Sequence, residues 1–501
     1  MAYPVCWGGL DFIEQRLKAV SRTPWNPFKE RRQNEAEMKR MRFWPLAFVP
    51  WLLLMLVGCS ESKDEKVEYV RPSGTVEDIV AFAQRDDTNV VFILIDTLRA
   101  DHLSPYGYER DTSPVMAEMA ESGVLFRQHV SQSSWTKCSM ASLWTGMYPA
   151  RTGVIRTSHK IPEEATLPAE IFKDSGFRTA GIWRNSWIAP NFGFAQGFEN
   201  YTMPAASKGA NMARADSPNL LLQGSDADVI LSTAGFLRAY GHERFFLYLH
   251  LMDVHQYVSS PDEAIFGTGY EDIYDNSILW TDKLIGFVLE ELEERDLLDR
   301  TLVVIASDHG EAFGEHGIEG HARDVYGEVT QTPWIIRFPF ALEGGIEVTS
   351  RTANVDVWPT LLELLGLPPL PDPDGRSRIP EIVAFEKGAA PPENENSFAL
   401  LDQNWGQEQQ ESNPLVAINK GNWRLFRSHL SPKKIELYDK AGDPAEEENV
   451  AESHPEVAED LTELILDHLE GPPPPWGDTT PSIELDDLQL NQLRALGYGV
   501  D

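Results

Sequence analysis

The sequence predicts an α/β protein: a mixed, mainly parallel sheet flanked by helices, followed by a smaller α+β unit. Three observations carry this prediction. The runs Asn89–Ile95, Phe245–Leu251 and Thr301–Ser307 are apolar almost throughout, the pattern of strands covered on both faces. Stretches with apolar residues at helical spacing, such as Leu167–Ser175 and Asp272–Arg295, fall between them, and alternating buried strands and helices build parallel sheets. Beyond the proline-rich Pro368–Pro373 the runs become short and alternating, as in an antiparallel unit.

The chain has 501 residues, 42% of them hydrophobic, enough for one large core and a smaller one. Its formal charge of −35 repels polyphosphate backbones and argues against nucleic-acid binding. The start is different in character. Met38-Lys-Arg-Met-Arg42 leads into the apolar run Phe43–Val57 and then Gly58-Cys59-Ser60, a basic region, an apolar core and a small residue before the cut, as in an export signal. The ending on Cys59 resembles the bacterial lipobox, which implies cleavage before Cys59, lipidation of its thiol and a periplasmic or outer-membrane lipoprotein in the cell envelope. A membrane-spanning helix is the other reading, but the run is short for a span and holds Pro45 and Pro50. Residues 1–37 then lie upstream of a signal that would start at Met38. With only Cys6, Cys59 and Cys138 in the chain, no intramolecular disulfide remains once the signal is removed and Cys59 lipidated.

The rest follows in order. Residues 59–88 are polar and charge-rich, suited to a tether. A catalytic domain is expected over 89–375. In an α+β unit over 376–470, Leu415–Ile418 and Trp423–Phe426 form a hairpin around Asn419-Lys-Gly-Asn422, joined by a strand Lys434–Tyr438 and a helix Pro455–Leu469. Residues 471–501, opening on Gly471 and four prolines, are a tail with a short helix.

Each long apolar run is followed at once by polar chemistry: Asp96, then Asp253 and His255, then Asp308 and His309. Ligand sites in such sheets lie beyond the carboxyl ends of the strands, so these groups can converge. Singly, each is a helix cap or a structural ion pair. Together, Asp and His at one sheet edge form an O/N donor set suited to a divalent metal.

Between them stands Ser134-Trp-Thr-Lys-Cys-Ser-Met-Ala-Ser-Leu-Trp-Thr-Gly-Met-Tyr-Pro149. It resembles the sulfatase family of the alkaline-phosphatase superfamily, whose Cys/Ser-x-Pro-Ser-Arg precedes a short helix ending in Thr-Gly. Counting back from Thr145-Gly146, the family's nucleophile falls on Thr136, its Ser on Ser139 and its Arg on Met140, and Cys138 takes the proline position. Asp96-Thr-Leu-Arg-Ala-Asp-His102, the segment from Gly176 through Asn185 to Phe198, His250-Leu-Met-Asp-Val-His255, Ser307-Asp-His-Gly-Glu311 with His321, and Glu436-Leu-Tyr-Asp439 follow in the family's order.

The resemblance implies an alkaline-phosphatase-like fold and a hydrolase of sulfate or phosphate esters. It implies that Asp96, Asp308, His309 and the Thr136 oxygen hold one divalent ion, Ca, Mn, Mg or Zn. Thr136 is then the covalent nucleophile, His255 or His321 the general acid, and Asn185 and Thr97 contacts to the substrate. A threonine hydroxyl needs such a metal to lower its pKa. Formylglycine is not expected, because the Pro and Arg context of that modification is absent. The substrate is expected to be a small anionic ester or a sulfated or phosphorylated glycan or lipid. Alternatives are a phospho-group transferase acting on envelope glycans or lipids, or a catalytically silent anionic-glycan-binding protein.

Overall fold

A computed structural model describes residues 71–206, 224–386, 395–477 and 480–485. The run Asn89–Ile95 forms strand β1, buried at every residue. With it come Val124–Val130 (β2), Arg178–Ile182 (β3), Asn200–Thr202 (β4), Phe245–Leu251 (β5), Thr301–Ala306 (β6), Trp334–Arg337 (β7) and Ile346–Ala353 (β8). These make an eight-stranded sheet in the order β8-β2-β7-β6-β1-β5-β3-β4. Only β7 runs against its neighbours; every other pairing is parallel. The continuous apolar runs are explained by this placement. β1, β5 and β6 lie side by side in the middle, so both faces of each are covered and no residue can be polar without a partner.

The helices Leu167–Ser175 and Asp272–Arg295 expected from periodicity appear as Pro168–Asp174 and Tyr270–Glu293. An aromatic cluster of Phe92, Trp144, Tyr248 and Trp358 packs between sheet and helices. Each such buried side chain contributes about 1.5–3 kcal/mol.

Two expected boundaries move. Residues 71–88 are not tether: Ser73–Gly74 pairs with Ala341–Leu342, and Val76, Ile79 and Phe82 of the following helical turns are buried in the main core. At the other end, the helix Ile379–Glu386 packs on β8 through Ile382, so the smaller unit begins beyond Glu386 rather than at residue 376. It is a four-stranded antiparallel sheet of Ser397–Asp402 (β9), Pro414–Lys420 (β10), Trp423–Ser428 (β11) and Ile435–Asp439 (β12). The helix Pro455–Leu469 covers it with Leu461 and Ile465. The hairpin turn is tighter than the sequence suggested. Lys420 pairs with Trp423, leaving Gly421-Asn422 as the turn, and Gly421 takes the positive φ that a two-residue hairpin requires.

The expected export signal over 38–58, the lipidated Cys59, residues 1–37 and the tail helix beyond residue 485 lie outside the described residues. Among the described residues no helix is long and apolar enough to cross a membrane.

Candidate active site

Because β6, β1 and β5 are adjacent and parallel, their carboxyl ends open on one edge of the sheet. Asp96 leaves β1, Asp308 and His309 leave β6, and His255 lies four residues past β5. Asp96, Asp308 and His309 are wholly buried, and each offers one ligand atom within 4.8 Å of the others. His309 Nδ1 donates to the Gly310 carbonyl at 2.9 Å, which makes Nε2 the acceptor nitrogen. That nitrogen lies 3.4 Å from Asp308 Oδ2 and 3.9 Å from Asp96 Oδ1.

Asp96 Oδ1 and Asp308 Oδ2 are buried without a hydrogen-bond partner. Two such oxygens are expensive to leave bare. They converge with an imidazole nitrogen, and this donor set fits a divalent cation. The electrostatics agree. Burial alone would raise the Asp96 carboxyl, but His255, the bond from His250 and His309 outweigh it and hold Asp96 well below the ordinary range. Burial and the Asp96 charge push the Asp308 carboxyl up. One anion is fixed and the second is held at a cost, as in a place shaped for positive charge.

Thr136 opens the helix Thr136–Thr145, with Trp135 extended at its cap. Its Oγ1 lies 3.2 Å from His309 Nε2 and accepts from Asn185 Nδ2 at 3.4 Å. The same amide donates to Asp96 Oδ2 at 2.6 Å, while Asn185 Oδ1 accepts from the Trp187 N–H. Asn185 therefore ties the hydroxyl to a carboxylate. Thr97 is bonded within the same cluster. Its hydroxyl donates to the Asp96 carbonyl at 2.7 Å and its N–H donates to Asp308 Oδ1 at 3.3 Å. It holds a positive φ of 60°, a strained conformation for a β-branched residue, and by it the backbone turns toward Asp308.

His255 and His321 are brought to the same place. Their rings lie 4.9 Å apart, and His321 is 4.6 Å from the His309 ring. Burial depresses the His255 imidazole to about 4. His321 is raised despite its burial, because Glu311 faces it. Asp253 does not join them: it accepts from Arg184 Nη1 at 2.7 Å and from the Trp280 indole at 3.0 Å.

Sequence reasoning gave no individual role to His250 or Glu311. His250 Nε2 donates to Asp96 Oδ2 at 3.1 Å, and its Nδ1 accepts from the Tyr248 hydroxyl at 2.6 Å. It hides inside an apolar strand, where its only signal is being the one imidazole in Phe245–Leu251. Lys137, beside the nucleophile position, turns away. Its Nζ donates to the Thr157 and His159 carbonyls at 2.5 and 2.9 Å, and burial drives its pKa well below that of an ordinary lysine. Cys138 is a buried free thiol, pushed up to about 12 by burial. His102 is paired with Asp275, and His316 with Glu328 over the Tyr326 ring; both are structural.

The sequence profile of the family described as Sulfatase matches residues 88–367. A second, described as N-sulphoglucosamine sulphohydrolase, C-terminal, matches 314–470. An N-acetylgalactosamine-6-O-sulfatase of Bacteroides thetaiotaomicron is 24% identical over 488 residues, covering 75% of this chain and 92% of that protein. An ulvan-active sulfatase of Formosa agariphila is 26% identical over 328 residues, covering 57% of this chain and 63% of that one. Among solved structures, the phosphonate monoester hydrolase of Agrobacterium radiobacter superposes with a TM-score of 0.61 at 20% identity, over 76% of this chain and 95% of the other, a likeness of fold. A mixed sheet of this kind, with these relatives, defines a hydrolase acting on ester bonds. Within that class, the chain belongs to the sulfatase family.

Proposed function

We propose that the chain is a single-metal hydrolase of sulfate or phosphate-type esters that uses unmodified Thr136 as its covalent nucleophile. The observation carrying this reading is the position of Thr136 Oγ1 against the Asp96–Asp308–His309 cluster, 3.2 Å from His309 Nε2. Asp96, Asp308, His309 and Thr136 Oγ1 would hold the ion. When bound, it supplies a lowered hydroxyl pKa and neutralisation of charge on the transferred group.

The remaining work falls to the protein's own groups. Asn185 Nδ2 donates to both Thr136 Oγ1 and Asp96 and so fixes the attacking oxygen. Thr136 Oγ1, its proton released to solvent as the hydroxyl ionises, bonds to phosphorus or sulfur as the bond to the ester oxygen breaks, and His321 or His255 gives that oxygen a proton. The same imidazole then takes a proton from water as water displaces Thr136 Oγ1, which leaves as the alkoxide ready for the next cycle. The helix amino terminus at Thr136 favours the bound anion.

The family's Cys/Ser is Thr136 and its Arg is Met140, buried in the core, which supports a threonine that stays threonine. An enzyme that cannot expel its anion through an aldehyde hydrate must let water attack phosphorus or sulfur, so phosphate diesters and phosphonate esters stand beside sulfate esters as substrates. The glycan sulfatases among the relatives favour a sulfated or phosphorylated glycan. We place the protein in the bacterial envelope as a lipoprotein anchored at Cys59; loss of lipid labelling in Cys59→Ala tests this.

The deciding experiment assays aryl sulfate, phosphate monoester, phosphodiester and phosphonate with metal-loaded protein, beside Thr136→Ala. On the active substrate the variant should lose about 10⁴-fold or more in kcat. Wild-type activity in Thr136→Ala, or an aldehyde at this residue by intact mass, refutes the assignment.

A further inference from the structure

One buried carboxylate at the site has no part in the chemistry above. Glu311 is 2% exposed and lies within the motif that carries His309. The chain after it forms a two-stranded antiparallel ribbon, Ala312–Phe313 against Glu319–Gly320, with Ala312 opposite Gly320. One step further along that register, Glu311 stands opposite His321. Both its carboxylate oxygens accept from His321 Nδ1, at 3.2 and 3.1 Å. A ribbon of two residues a side gains little by burying an ion pair, since apolar pairs serve stability as well.

The backbone around the pair is pinned on every side. Arg99 Nη1 donates to the Glu311 carbonyl at 3.0 Å. Past the ring, Ala322 takes a positive φ of 58°. Its N–H donates to the Ser134 carbonyl at 2.9 Å, and its carbonyl accepts from the Trp405 indole at 3.1 Å. His321 is thus fastened to the segment that leads into Thr136, with its ring against those of His255 and His309.

We propose that Glu311 is a positioning residue for proton transfer to the leaving group. By engaging Nδ1 with both oxygens it sets the orientation and tautomer of His321, so that the ring serves the ester oxygen through Nε2. This rests on the hydrolase reading above and assigns the proton to His321, whose Nδ1 the Glu311 carboxylate engages.

The test uses the metal-loaded full chain and aryl esters of its active substrate class, with leaving phenols from strongly to weakly acidic. The variants are Glu311→Gln, Glu311→Asp, His321→Ala and the double variant Glu311→Gln/His321→Ala. A group that protonates the leaving oxygen matters most when that oxygen is basic. Glu311→Gln should therefore lose about a hundredfold in kcat on the least acidic phenol and only a few-fold on 4-nitrophenol. Glu311→Asp should recover part of the loss, and the double variant should be no slower than His321→Ala alone. An equal loss across the series, or independent losses multiplying in the double variant, overturns the positioning role. Metal content and melting temperature, measured on each variant, identify a folding defect, and Glu311→Asp then decides on the same leaving-group dependence. Failure of the hydrolase reading would appear separately, as full activity in Thr136→Ala.

Discussion

Replacing Arg184 by Met removes the one cation from a buried cluster just behind the turn that presents His255. Arg184 Nη1 lies 2.9 Å from Asp226 Oδ1 and 2.7 Å from Asp253 Oδ1, and neither aspartate side chain is exposed. Asp226 in turn accepts from the Met252 and Asp253 N–H groups, so the cluster fixes the chain three residues before His255. Breaking a buried pair by deleting one partner costs about 3–5 kcal/mol. The penalty depends on pH. Burial and the Asp226 charge already raise the Asp253 carboxyl to about 7 despite Arg184. A raised carboxyl contributes stability that is full below the unfolded value and lost as pH rises through the folded one. Without Arg184 the folded value climbs further, and the variant relieves its strain by keeping a proton. Urea unfolding of Arg184→Met should show a deficit of about 3–5 kcal/mol at pH 8, shrinking by about 1.4 kcal/mol as pH falls to 7 and levelling below that, where Asp253 of the wild type takes up its own proton. A deficit under about 1 kcal/mol at pH 8, or one that grows on acidification, refutes the reasoning.

Other outcomes follow from the same geometry. Asp308→Asn should abolish activity yet raise the stability of metal-free protein by about 1 kcal/mol, since it relieves like-charge crowding against Asp96; thermal melts in chelator check this. Chelation should lower the melting temperature of wild type, and a single divalent ion should restore it. His129, held neutral between Thr352 and Asn354, is depressed by burial to about 3. A depressed histidine loses stability as pH falls below its unfolded value. Acidification from pH 7 to 4.5 should therefore lose about 3 kcal/mol through this residue, a slope reduced by about one proton in His129→Gln. Gly310→Ala would place its Cβ 2.1 Å from the Glu328 carbonyl oxygen and should destabilise by about 2–4 kcal/mol with loss of activity, read by circular dichroism and assay.

The central strands were legible because burial on both faces leaves an uninterrupted apolar run, and Asp96, Asp308 and His309 because each breaks such a run at its carboxyl end. His250 was not legible as a partner: facing a carboxylate across the neighbouring strand is a matter of register, which the local sequence does not display. Glu311 and His321 are ten positions apart, and only the ribbon between them makes them neighbours. The helical turns at Val76–Phe82 read as tether because they are short and lie within a charge-rich stretch, although Val76, Ile79 and Phe82 are buried there. Strand β9 has a similarly short apolar core within a polar stretch. Asn185 lies where expected, but its amide faces inward to Asp96 and Thr136, a choice decided by packing across the sheet edge.

The smaller unit is stitched into the catalytic loops. Leu400 N–H donates to the Gln132 carbonyl, Trp405 holds Ala322, Arg424 Nη2 donates to Thr330 Oγ1 at 2.8 Å, and His316 Nε2 donates to the Glu446 carbonyl. The two family profiles overlap from residue 314, so the division into modules that sequence comparison suggests is not a division the molecule can survive. A fragment cut at residue 367 would forfeit the buttress that braces the His321 loop and the approach to Thr136. Shuffling C-terminal units between relatives to change specificity would thus perturb the site's alignment along with the binding surface, and would need the partner of Arg424, Thr330, to be matched in the same step.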